Sequence, residues 1–221
     1  MPKVVCLSDT HNRHGAIDVP EGDVLIHAGD VSMAGRAGEV EAFMRWFAAL
    51  PHPHKVLVAG NHDWLFERRP DLAREVVAGV TYLQDSGTEV AGLRIWGSPW
   101  QPWFYDWAFN LPRGEALREK WDMIPDGTDV LVTHGPPYGI LDSVERVVGQ
   151  WFGEDAAVEV EHTGCEELRA AVLRVGPRLN VFGHIHEGYG TDRLGKTICV
   201  NASNCDADYR PVNPAIVVEL P

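Results

Sequence analysis

Five short apolar runs constrain this chain more than anything else in it, because each one breaks off into residues that bind metal ions. The runs are Val4–Leu7, Val24–Ala28, Val56–Ala59, Val130–Thr133 and Leu179–Phe182, rich in Val, Leu and Ile and bounded by breakers, as buried strands are. Their C-terminal ends lead into Asp9-Thr10-His11, Gly29-Asp30, Gly60-Asn61-His62-Asp63, His134-Gly135 and Gly183-His184-Ile185-His186 respectively. Apolar residues recur at i, i+3, i+4, i+7 in Glu39–Leu50 (Val40, Phe43, Met44, Phe47) and in Gly164–Val175 (Leu168, Ala171, Val172, Val175), which predicts two amphipathic helices. Strand and helix alternate, as in an α/β layered fold. Further strand-like runs at Val80–Leu83, Thr88–Val90, Leu93–Gly97, Thr197–Val200 and Ala215–Leu220 predict a second sheet packed on the first.

In open α/β sheets ligands bind beyond the C-terminal strand ends, so the five clusters are expected to converge on one rim of the sheet. Alternation along an extended segment puts Asp9 with His11, and His184 with His186, on a common side. Asp9, His11, Asp30, Asn61, His134, His184 and His186 then make seven nitrogen and oxygen donors with no thiolate. That is too many for one tetrahedral ion and suits two divalent ions sharing a carboxylate. Mn is the ion expected to support activity best, with Fe or Zn as alternatives.

The order Asp-x-His, Gly-Asp, Gly-Asn-His-Asp, His, Gly-His-x-His resembles the calcineurin-like metallophosphoesterases, and it runs from Asp9 to His186. A closer likeness, to the MPPED group of metallophosphoesterase-domain proteins, rests on Gly97-Ser-Pro-Trp-Gln-Pro-Trp-Phe104, Trp107-Ala-Phe-Asn110, His134-Gly-Pro-Pro137, the stretch from Gly183 to Gly190 and Asn201-Ala-Ser-Asn204. The resemblance implies one metallophosphoesterase domain over residues 1–221, folded as a four-layer α/β/β/α sandwich of two packed mixed sheets flanked by helices. It implies Asp9, His11, Asp30 and His186 on one metal, Asp30, Asn61, His134 and His184 on the other, and Asp30 as the bridge. Some members of the group carry Gly where this chain keeps His184, so both sites are expected to be competent here. The segment Ser143–His162 looks longer than the group requires.

The expected reaction is hydrolysis of a phosphodiester, such as a cyclic nucleotide or an aryl or nucleotide diester, by a bridging hydroxide. His62, beside Asn61 but assigned to no metal, is expected to protonate the leaving oxygen, with Asp63 fixing its tautomer and keeping it cationic. Two divalent ions, less two carboxylates and one hydroxide, leave about +1 at the centre, which suits a singly charged diester. The alternative is a catalytically weak nucleotide- or protein-binding scaffold of the same fold, which would be expected to have lost ligands that this chain retains.

Other residues carry two readings each. Trp100, Trp103, Phe104 and Trp107 fall 3, 4 and 7 apart, which reads first as the apolar face of one or two helical turns and second as an aromatic wall stacking a base or aryl group. Trp100 and Phe104 are the substrate contacts expected from the second reading, and Arg13 is the candidate for a phosphate oxygen. His27 is expected in the core, His52 and His54 in a solvent-facing loop, and His14 on a surface loop or against substrate. The acidic stretch Asp142–Glu161 is expected to be a solvated loop and helix.

With 32 acidic against 19 basic residues the formal charge is −13, so a nucleic-acid backbone is not an expected general partner. No apolar run reaches the roughly 20 residues of a membrane span, and Val4–Leu7 is too short for a signal-peptide core. The four cysteines lack zinc-knuckle spacing and are expected to be reduced thiols in a cytoplasmic protein. The His-x-His-x-Asp-His of metallo-β-lactamases is missing from the sequence.

Overall fold

Alternate residues of Val4–Leu7 face two different cores, and this parity generates the layers of the computed structural model, which describes residues 1–77, 79–148 and 157–220. The strands, in chain order, are β1 Lys3–Leu7, β2 Val24–His27, β3 His54–Leu57, β4 Thr81–Tyr82, β5 Ser86–Val90, β6 Leu93–Ser98, β7 Gln101–Pro102, β8 Asn110–Leu111, β9 Val130–Thr133, β10 Ser143–Val148, β11 Ala157–His162, β12 Leu179–Phe182, β13 Gly190–Leu194, β14 Thr197–Asn201 and β15 Ile216–Glu219. The helices are α1 Ala37–Ala49, α2 Trp64–Arg68, α3 Pro70–Val76, α4 Glu115–Asp122 and α5 Glu166–Val175. The sheet orders are β15-β1-β2-β3-β4 and β13-β14-β12-β9-β6-β5. Both are mixed: β15 runs antiparallel to β1, and β13 and β5 are antiparallel edges of the second sheet.

Val4, Cys6, Ile26 and Val56 of the first sheet meet Ile95, Val132, Val181 and Val200 of the second in the central core. The opposite parity, Val5, Leu7, Leu25 and Leu57, packs on Val40, Phe43 and Phe47 of α1 and on Leu65 and Phe66 of α2. On the far side, Leu131, Phe182 and Cys199 pack on Leu117 and Trp121 of α4 and on Leu168 and Val172 of α5. The result is the expected α/β/β/α order.

The division of strands differs from the expectation in two ways. The ligand-bearing strands do not share one sheet: β1, β2 and β3 lie in the first and β9 and β12 in the second, so the ligand rim is formed where two sheets end side by side. Conversely, β4 and β15, expected in the second sheet, are edges of the first. The Trp100–Trp107 segment is not helical; Gln101 and Pro102 pair in parallel with Asn110 and Leu111. Neither Pro99 nor Pro102 has a backbone N–H to give a helix, so the helical spacing there has no helix behind it.

Two further expectations are corrected. His52 is buried rather than solvent-facing, because its Nε2 reaches the Pro20 carbonyl at 2.9 Å, and His54 is the half-buried first residue of β3. Outside residues 149–156, which lie beyond the described ones, Asp142–Glu161 holds no helix but an antiparallel hairpin in which Ser143 pairs with His162 and Arg146 with Glu159. His27 is a core residue, edge-on to Phe43 at 4.8 Å. The four cysteines are free and buried, and no described helix is long and apolar enough to cross a membrane.

If α1 is held by its buried face, Phe43→Ala should cost about 3–5 kcal/mol in urea unfolding, whereas Val160→Ala, on the exposed face of β11, should stay within about 0.5 kcal/mol. Similar effects for the two would contradict this layering.

Candidate metal centre

Four of the seven expected ligands, Asp9, His11, Asp30 and His184, sit at positive φ between 41° and 68° just past their strands. Asp and His tolerate this region better than branched residues do, but it is sparsely populated and is sustained only where the surroundings enforce it. Here the turns bend each side chain back over the strand end. The glycines beside the ligands are needed for close approach: a Cβ at Gly60 would collide with Asp30 Oδ1 and lie 2.7 Å from His134 Cε1, and one at Gly183 would collide with Asp9 Oδ2 and Ser8 Oγ.

All seven residues converge, in two groups. Asp9, His11 and His186 form the first, with His186 Nε2 3.3 Å from Asp9 Oδ1 and 3.2 Å from His11 Nε2. In the second, Asn61 Oδ1 lies 2.9 Å from both His134 Nε2 and His184 Nδ1. Asp30 stands between them, its Oδ2 3.6 Å from His11 Nε2 and 3.4 Å from His134 Nε2. The other oxygen, Oδ1, accepts the His62 backbone N–H at 2.8 Å.

Backbone carbonyls set the direction of the imidazoles. His11, His134 and His186 donate Nδ1–H to Ser32, Ala28 and Asp206 carbonyls at 3.3, 2.9 and 2.8 Å, which turns each Nε2 lone pair inward. His184 faces the centre through Nδ1 instead. Imidazole nitrogens 3.2 Å apart beside two buried carboxylates gather acceptors that only positive charge, as bound protons or metal ions, can satisfy. The donor set fits divalent metal ions.

The electrostatics of the metal-free centre agree. Burial works to raise the Asp9 and Asp30 carboxyls, but the neighbouring histidines outweigh it and hold both well below the usual range. Burial likewise works against charge on His134 and His186, and Asp30 and Asp9 respectively override it, pushing each ring up to about 9. For His11 and His184 burial prevails, giving about 4 and about 3.

His62 is only 7 % exposed and donates Nδ1–H to the Met33 carbonyl at 2.7 Å. A ring nitrogen of His62 lies within 4.8 Å of ligand atoms of His11 and Asp30, and Trp107 stacks on the ring at 4.3 Å. Asp63 does not perform the role expected of it. Its carboxylate turns away and accepts from Gly60, Val31 and Ser32 backbone N–H groups and from Ser32 Oγ–H at 2.7–3.2 Å, tying the loop after β2 to the loop after β3. Burial, then the charge of Asp30, raises it to about 6.

The expected substrate contacts divide. Phe104 lines both clefts at the centre, one of about 210 Å³ that contains His62, Trp107 and Tyr209, and one of about 630 Å³ bounded by residues 102–105 and the β10–β11 hairpin. Trp100 lines neither; its indole N–H donates to Asp85 at 2.9 Å and its ring packs between the helical layers under Lys120. Arg13 is exposed and also lines neither cleft, because the turn after His11 directs it outward. His14 packs against Phe43 and Trp46.

Three contributors were missed from the sequence. Ser203 Oγ–H donates to Asp9 at 2.9 Å, the Asp206 carbonyl orients His186, and Tyr209, at φ 59°, sets its ring against His11 at 4.8 Å. The signal available for Ser203 was its place one turn after an apolar run, in Asn201-Ala-Ser-Asn204; Asp206 and Tyr209 carry none.

The family model for calcineurin-like phosphoesterases matches residues 2–188, which include all seven ligands. This chain belongs to that family. It is 46% identical over 243 residues to human metallophosphoesterase domain-containing protein 1, covering 99% of this chain and 71% of that protein. A UPF0046 protein of Caenorhabditis elegans is 36% identical, over 99% of this chain and 81% of its own length. The crystal structure of TT1561 of Thermus thermophilus shares the fold at a TM-score of 0.59, with 15% identity over 92% of this chain and 91% of that one. The family is one of metal-dependent hydrolases, and Ser203, Asp206 and Tyr209 complete its centre from beyond the matched residues.

Metal loading should displace a proton from each of His134 and His186. At pH 7 both rings are protonated in the metal-free protein and their Nδ1–H groups are already committed, so the Nε2 protons must leave. Apparent affinity should therefore rise as pH climbs toward 9 and fall on acidification. Calorimetric titration with Mn²⁺ in buffers of different ionisation enthalpy measures this, and buffer-independent heats would contradict it. Separately, Asp63→Ala strands buried N–H donors and should destabilise the protein by at least about 3 kcal/mol in chemical unfolding.

Proposed function

We propose that the protein is a dinuclear metal-dependent phosphodiesterase with His62 as general acid. The observation that carries this reading is the placement of His62: a ring nitrogen lies within 4.8 Å of ligand atoms of His11 and Asp30, while Nδ1 is fixed outside the expected ligand set by the Met33 carbonyl. Two divalent ions, Mn²⁺ by preference for this nitrogen and oxygen set, would supply a nucleophile at neutral pH and charge neutralisation for an in-line displacement.

The chain's own residues do the rest. With Nδ1 committed, Nε2 is the atom that delivers a proton to the departing oxygen. Trp107 and Tyr209 flank that ring and keep it from rotating away. Asn61 holds its carbonyl oxygen toward His134 and His184. A diester is favoured over a monoester because, among the described residues, neither cleft offers a free Lys or Arg for a second phosphate charge. Arg113 donates to the Gly164 and Thr163 carbonyls and to Glu166, and Arg146 pairs with Glu161 at 2.7 Å.

A general acid matters most when the departing oxygen is too basic to leave unprotonated. His62→Asn should therefore depress hydrolysis of alkyl or ribose esters by about 10² to 10⁴, and of nitrophenyl esters much less, with metal content unchanged. The kcat dependence on leaving-group pKa, measured over a series of diesters, decides the matter. A uniform loss across the series would make His62 a phosphate-positioning residue, and loss of metal would make it a ligand.

A further inference from the structure

We propose that the β10–β11 hairpin and residues 102–105 form a subsite for the ester arm that stays on phosphorus, and that this subsite selects a flat, uncharged ring. The inference rests on the phosphodiesterase reading and adds to it which arm is recognised, and by what.

The two clefts meet at Phe104, His184 and Glu187. His62 lies in the smaller one only, so the group whose oxygen it protonates points there. The remaining arm must then run past His184 and Phe104 into the larger cleft. At about 630 Å³ that cleft has room for far more than a methyl or ethyl group.

Its walls specify what the arm is. Trp103, Phe104 and Tyr105 on one side are 66, 46 and 68 % exposed; Phe104 stands edge-on to Tyr105 at 4.5 Å and faces His184 at 6.4 Å, and among the described residues Trp103 has no aromatic partner. Val144 and Arg146 of β10 face them. Both lining arginines, Arg113 and Arg146, are already paired with glutamates, while among the described residues the Glu187 carboxylate has no ion-pair or hydrogen-bond partner. An anionic arm is repelled by this lining, and a ring with N–H or O–H donors on its edge finds free acceptors. The hairpin wall is anchored at its base: Asp142, wholly buried, accepts from Gly139 and Gly164 N–H groups at 2.8 and 2.9 Å and from His162 Nδ1 at 2.7 Å.

The test uses two diesters with one leaving group, bis(4-nitrophenyl) phosphate and methyl 4-nitrophenyl phosphate, which differ in the retained arm. The unaltered Mn²⁺-loaded protein should prefer the first in kcat/KM by roughly tenfold or more beyond the ratio of the two esters' uncatalysed hydrolysis rates, which contains both the statistical factor of about two and the activation by the retained nitrophenoxy group. Val144→Trp, which fills the cleft, should collapse the preference to that uncatalysed ratio. Trp103→Ala, on an exposed loop, should lower it at least about threefold and carries the test if the first variant does not fold. Calorimetric binding of phenylphosphonate against methylphosphonate should show the same preference without turnover. Hydrolysis of both esters with a ratio indifferent to these variants would overturn the subsite and leave the phosphodiesterase reading standing. If neither ester were hydrolysed, that reading would fail, and equal binding of the two phosphonates would overturn the subsite as well.

Discussion

The burial of Asp9 and Asp30 at the meeting of the two sheets, with no lysine or arginine partner among the described residues, is the constraint on which the rest of this structure depends. Asp9 and Asp30 are at most 2 % exposed, and such groups are tolerated in an interior only when cations or several donors compensate them. Without metal the compensation comes from protonated His134 and His186 and from N–H and O–H groups of His62, His184 and Ser203. On metal binding the same imidazoles would exchange protons for ions. Other local oddities stem from this demand: left-handed backbone at four ligands, glycines where a Cβ would strike a carboxylate, and imidazoles oriented by main-chain carbonyls.

The layered fold places these groups without using them. Packing of Val and Ile between the sheets fixes how the ends of β1, β2 and β3 lie against those of β9 and β12, and the ligand turns sit on those ends. Asp63 then locks two of the turns together. A residue adjacent to the proposed general acid thereby serves the loops rather than the acid.

What was legible in the sequence was what is local or periodic. The buried strands were apolar runs, α1 and α5 had clean helical spacing, and the ligands came directly after the strands. Pairing was not legible: β15 joins β1 from the opposite end of the chain, and nothing in Ile216–Glu219 names its neighbour. Adjacency misled at Asp63, whose carboxylate leaves the turn on the side away from the His62 ring. Periodicity misled about the conformation of Trp100–Trp107, which is not helical, although Trp100 does pack on the core as the first reading of that spacing expects. Tyr209 was invisible because its role comes from a turn conformation in a loop with no pattern of its own.

Whether Asp30 joins two ions, as proposed, is tested most directly by the magnetic state of the Mn²⁺-loaded protein. Electron paramagnetic resonance with parallel metal analysis should find close to two ions per chain with an exchange-coupled signal, and Asp30→Ala should abolish the coupling. Saturation at one ion, or two uncoupled ions indifferent to Asp30, would contradict the account.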